Sequence, residues 1–131
     1  MNHRAIEVFA RVLITPLFLY SGVGKLFHFS DNVAKTPFGD SLLGQLMIIA
    51  AIIIELGGSL AFITGYKIRY VSLLWILYVF LTSVMLHQFW LYSDAQQVGQ
   101  VINFTKNMSI CAGLFYFYLY YTAKEKSNTS T

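Results

Sequence analysis

The stretch RVLITPLFLYSGVGK, Arg11 to Lys25, decides how this chain folds. Everything between its two terminal charges is uncharged, and the apolar run continues outward to cover 6–27. A helix needs about 20 residues, rising about 1.5 Å each, to cross a bilayer. The segment 6–27 is therefore predicted to span a membrane, with Pro16 inside it, a residue that membrane helices tolerate where neighbours compensate. Lys25 lies close enough to one end to reach a membrane surface. Arg11 has apolar residues on both sides, and an arginine inside a span costs about 2.5–3.5 kcal/mol on insertion scales. It requires a partner. Arg11, Thr15, Phe18, Gly22 and Lys25 recur at helical spacing. That face is charged at both ends and small at Gly22, so it is expected to face protein rather than lipid.

Composition agrees. The chain is 56% hydrophobic and only 11% charged, against about 25% charged for a soluble domain, and its mean hydropathy is +0.59. An integral membrane protein is expected. Within 131 residues, four spans leave no room for a soluble domain, so 1–131 is read as one membrane domain. The net charge of +3 is too small and scattered to indicate a nucleic-acid partner. The single cysteine, Cys111, excludes an internal disulfide and a CxxC redox pair, and no metal-ligand cluster is visible. Arg11 interrupts the first apolar run and no small-x-small cleavage site follows, so that run is not read as a signal peptide.

Three further spans are predicted, at 42–64, 70–92 and 104–123. The fold class is all-α, a polytopic membrane protein built as a four-transmembrane-helix bundle. Residues 30–41 read as a loop, with turns at Pro37 and Gly39. Glu55 is the one charge of the second span, and Gly57, Gly58, Ser59 and Ala61 after it offer a small-residue surface for close helix contact. The more polar 94–103 reads as a short interfacial helix or turn, and the tail KEKSNTST as frayed. Four spans put both termini on one side, with Arg4, Lys67, Arg69, Lys124 and Lys126. By lysine and arginine bias that side is the cytoplasm.

Two polar constellations follow from depth. Arg11 and Glu55 are both counted a short way in from the same membrane face, which predicts a buried ion pair between the first two helices. Such a pair either fixes helix packing or serves as a proton or head-group site. Lys25, His87, Lys106 and Asn107 fall near the opposite face. They form either a pocket for an anionic or carbonyl-bearing ligand, or a rim of snorkelling lysines and an interfacial histidine.

The chain resembles the DoxX family of small bacterial and archaeal membrane proteins. The resemblance runs from Arg11 to Leu114. It rests on Arg11 followed by Gly22-Val23-Gly24-Lys25, on Glu55-Leu56-Gly57-Gly58, on Gly65 with Lys67 and Arg69, on His87-Gln88-Phe89-Trp90, and on Asn103-Phe104-Thr105-Lys106-Asn107. Each piece is weak alone, and their order across four spans makes the signature. It implies a four-helix bundle in the bacterial or archaeal plasma (inner) membrane, with membrane lipids around it. Some relatives are linked to thiosulfate:quinone oxidoreduction and others to oxidoreductase assemblies handling oxidative stress. The expected function is an accessory subunit beside oxidoreductase partners, with quinone as the ligand and no intrinsic cofactor. Whether the chain is itself an enzyme stays open. So do a small transporter or lipid-binding protein, and a non-catalytic scaffold.

Overall fold

The computed structural model describes residues 2–129, and every described element is helical. Helix α1 covers His3–Phe27, with Asn2 accepting the Arg4 backbone N–H at its start. A short α2, Phe29–Ala34, follows. Helix α3 is continuous from Leu42 to Thr64 but not uniform: Leu42–Ile52 is α-helical, Ile53–Gly57 makes a wider π turn, and Gly58–Thr64 returns to α. Helix α4 is Ile68–Leu86, extended by a 3-10 turn at Phe89–Leu91. Helix α5 is Asp94–Thr129.

These elements pack as two units that divide between Lys67 and Ile68. In the first, α1 lies along the length of α3. Thr15, Phe18 and Gly22 of α1 are buried, as are Ile48, Ala51, Glu55, Ser59 and Phe62 of α3. The α2 segment closes one end with Val33 inside, and the Gly39 carbonyl and Thr36 Oγ1 press on Gly44, where any side chain would collide with them. At the other end Gly65 stops α3 in a left-handed conformation (φ +83°). The N–H groups of Gly65 and Tyr66 both reach the Ala61 carbonyl, each at 2.9 Å, a double closure that satisfies the helix end.

The second unit is the hairpin of α4 and α5. Ile68, Ser72, Trp75, Val79 and Ser83 make the buried stripe of α4, and Cys111, Leu114 and Tyr121 are buried on α5. Ties run along the whole hairpin. Arg69 pairs with Glu125 at 3.0 Å near one end, Asn107 donates to Ser83 at 2.9 Å, and His87 meets Gln100 at 2.9 Å near the other.

The interior is apolar, with Phe62, Trp75 and Leu114 fully enclosed, and small hydroxyls sit within it: Ser59, Ser72 and Ser83 are wholly buried. The outside carries Leu13, Leu17, Tyr20, Ile53, Leu60 and Leu77 exposed. A water-soluble protein does not leave so much large apolar surface uncovered. This is an all-α membrane protein.

Several expectations need correction. Helix α1 begins at His3, not at 6, and α2 runs into the predicted loop, taking 30–34 of it. The predicted third span, 70–92, is α4 from Ile68 plus the separate 3-10 turn. The interfacial element at 94–103, the span at 104–123 and the start of the frayed tail are one helix. Polar residues without proline do not break a helix; they change only what it faces. Among the described residues, three helical stretches are long and apolar enough to cross a membrane: His3–Phe27, Leu42–Thr64 and Ile68–Leu91. Helix α5 has the length, but Tyr116, Tyr118, Tyr120 and Tyr121 in its aromatic half and Lys106 and Asn107 before it lower its hydropathy.

Candidate functional site

Glu55 stands in the π turn, its side chain 4% exposed. A π turn adds a residue to the helical circuit, and such turns recur at functional sites. Here the Ser59 hydroxyl donates to the Glu55 carbonyl at 2.7 Å, a bond of the kind that bends helices. The Glu55 carboxylate is turned toward α1. Lys25 Nζ donates to both carboxylate oxygens at 2.9 Å and also to Ser21 Oγ. The Ser21 hydroxyl in turn donates to Glu55 Oε1 at 2.9 Å. Lysine, carboxylate and hydroxyl thus close a ring in which each ammonium proton has an acceptor.

The helices come close enough for this because Gly22 has no side chain. A Cβ there would stand 2.7 Å from Leu56 Cδ2 and 3.2 Å from Glu55 Cβ. Glu55 lies nine residues before Thr64, about 14 Å from that end of α3 and near the middle of the span. Lys25 starts near the far end of α1 and reaches back, since side chains on a helix lean toward its N-terminus.

The sequence reading joined Glu55 to Arg11. In the structure the carboxylate is joined to Lys25, and Arg11 lies elsewhere. Its guanidinium rests on Gly65, where a Cβ would overlap Nη1. Arg11 and Lys25 are fourteen residues apart, about 21 Å along α1. The arginine also leans toward the N-terminus, away from Glu55. The depth argument failed because it counted from helix ends and ignored this lean, which draws Lys25 inward and Arg11 outward.

The other predicted residues sit in the second unit. His87 Nδ1 is 2.9 Å from Gln100 Oε1. Beside it, Phe89, Trp90 and Phe104 stack edge to face, with centroid separations of 5.1, 5.4 and 6.4 Å. Asn107 lies one turn beyond Phe104 and donates to Ser83. Lys106 points outward and donates to Asn103 at 3.2 Å. So His87 and Asn107 belong to one end of the hairpin, while Lys106 is exposed and Lys25 is engaged with Glu55.

Sequence reasoning missed Ser21, Ser83 and Gln100. Ser21 was findable, since it stands four residues before Lys25 on the same helical face. Gln100 and Ser83 had no such signal; only the hairpin's register brings them to their partners.

The family model described as DoxX matches residues 6–88. That range takes in Arg11, Lys25, Glu55 and His87 and ends before Lys106 and Asn107. The chain is also similar to the inner membrane protein YphA of Escherichia coli (strain K12), 28% identical over 106 residues that make up 81% of this chain and 75% of that protein. No solved structure gives a significant match.

Proposed function

The chain belongs to the DoxX family, and from that membership we propose that it is an accessory membrane subunit of an oxidoreductase system whose ligand is a quinone. The observation that carries this reading is the aromatic corner of Phe89, Trp90 and Phe104 beside His87, at the end of an apolar helix. A quinone needs flat apolar walls for its ring and a hydrogen-bonding group at an oxygen. With Gln100 Oε1 as acceptor, His87 donates from Nδ1, and Nε2 is left to meet a quinone oxygen. A bound quinone would supply two-electron, two-proton chemistry; the chain's own groups would hold the ring and hydrogen-bond its oxygen. One cysteine gives this chain no dithiol of its own, and in this reading a partner subunit supplies the electrons. The plasma membrane is the proposed location, in keeping with the inner-membrane name of the Escherichia coli relative.

Quinone content decides the matter. Protein purified gently from its own membranes is expected to carry extractable quinone, and His87→Ala with Phe104→Ala is expected to lose most of it while remaining helical. Equal quinone in wild type and variant, or none in either, rejects the reading.

A second reading, a small proton-linked transporter, is favoured by the ring of Lys25, Glu55 and Ser21. Ionisable groups in mid-span are rare and mark pathways for ions or protons. Flux into proteoliposomes that follows a pH gradient and disappears with Glu55→Gln would select it.

A further inference from the structure

The Arg11 guanidinium has five N–H donors. Among the described residues none of them donates to a protein acceptor, and Nε is buried from solvent. Among the described residues, Arg11 is in none of the ion pairs Lys25–Glu55, His28–Asp31 and Arg69–Glu125. Yet the position is built: Gly65 leaves open the space that the guanidinium fills, and a side chain there would displace it. Thr64 is the last residue of a helix apolar enough to span. The Gly65 turn therefore lies where hydrocarbon gives way to head groups. Two residues on, Lys67 adds a second cation, held in a left-handed conformation (φ +46°) with Nζ 5.5 Å from the centre of the exposed Tyr66 ring. A planar guanidinium pairs with two oxygens of one phosphate, while a lysine contributes a point charge.

We propose that Arg11, seated on Gly65 and assisted by Lys67, binds a phosphate-bearing anion at this membrane face. The phosphate belongs either to an anionic phospholipid head group or to a free phosphate. The site is separate from the quinone reading and stands or falls without it.

The test uses the full chain in detergent, with phosphatidylglycerol, phosphatidylcholine and inorganic phosphate as probes. Retained lipid is read by native mass spectrometry and the unfolding midpoint by thermal scan. Wild type is expected to retain phosphatidylglycerol over phosphatidylcholine and to unfold at higher temperature with it. Arg11→Gln is expected to lose about tenfold in affinity, equivalent to about 1.4 kcal/mol. Arg11→Lys is expected to fall between, because it keeps the charge and loses the fork, and Lys67→Gln to weaken binding less than Arg11→Gln. A rise in midpoint with inorganic phosphate alone, unimproved by the lipid, assigns a free phosphate. A preference for the lipid that millimolar phosphate does not compete away assigns the head group. Wild type that responds to neither probe, or Arg11→Gln that binds as well as wild type, overturns the proposal. The wild-type comparison of the two lipids holds even if a variant fails to fold.

Discussion

Replacing Glu55 with Gln would leave the Lys25 ammonium in mid-span without its counter-charge. Breaking one side of a buried pair costs on the order of 3–5 kcal/mol, whereas removing both charges is often neutral. Glu55→Gln is therefore expected to destabilise strongly, and Lys25→Met combined with Glu55→Leu to recover most of the loss. A double-mutant cycle measured by unfolding in detergent checks it; simple additivity would mean that the pair does not couple. Arg11→Met should show no such coupling with Glu55→Leu. Gly22 belongs to the same scale. Alanine there puts a methyl group against Leu56 and Glu55, and overpacking of this kind costs about 1–3 kcal/mol. Gly24 has open space around it, so Gly24→Ala is the matched control, and equal midpoints for the two alanine variants would contradict the close approach at Gly22.

Among the elements, the α4–α5 hairpin shows which ties matter. Arg69 and Glu125 are 33% and 46% exposed, so water screens the pair and it contributes little to stability. Arg69 also lies over the Tyr70 and Tyr118 rings, at 5.4 and 5.9 Å, so Arg69→Ala should cost more than Glu125→Ala through lost stacking. Asn107 is different, because its amide answers a hydroxyl that is wholly buried. Ser83 keeps its bond to the Val79 carbonyl, so Asn107→Leu is expected to cost about 1 kcal/mol, the net value of an ordinary hydrogen bond. Thermal unfolding of the three variants should rank Asn107→Leu above Glu125→Ala. In α3, the π turn presents Glu55 to α1, and it was not foreseeable from IIELGG alone. Consecutive glycines loosen a helix but do not say where an extra residue will be absorbed. The spans themselves were legible, since runs such as LMIIAAIII leave little choice in a membrane.

At the scale of the molecule, the number of crossings decides where the termini lie. Three apolar helices would leave the termini on opposite sides; a crossing by α5 would bring them to the same side. Helix α5 has 36 residues, about 54 Å at the helical rise, more than a bilayer core. Its tyrosines carry hydroxyls that lower hydropathy while their rings remain suited to membrane boundaries. Four crossings, with Arg4, Lys67, Arg69, Lys124 and Lys126 on the cytoplasmic side, are the expected arrangement. Reporter fusions at the N-terminus, at Lys67 and after Lys126 should then all read cytoplasmic, and one at Lys35 external. An external signal after Lys126 alone would mean that α5 does not cross.

By itself the sequence determined that this is a helical membrane protein and to which family it belongs, and of its four predicted spans three are helices apolar enough to cross. Those properties are sums along the chain: hydropathy over a window, helical period, the order of short motifs. It also singled out the charges, because an ionisable residue within an apolar run must have a reason to be there. What it did not determine was who meets whom. Lys25 rather than Arg11 holds Glu55 because side chains lean toward the helix N-terminus, the π turn rotates the carboxylate, and Gly22 lets the two helices touch. Each of these acts between elements, at the level of an ångström or a fraction of a turn. A pattern read along one chain carries depth to within a turn or two, and choosing between two cations for one carboxylate takes the packed structure.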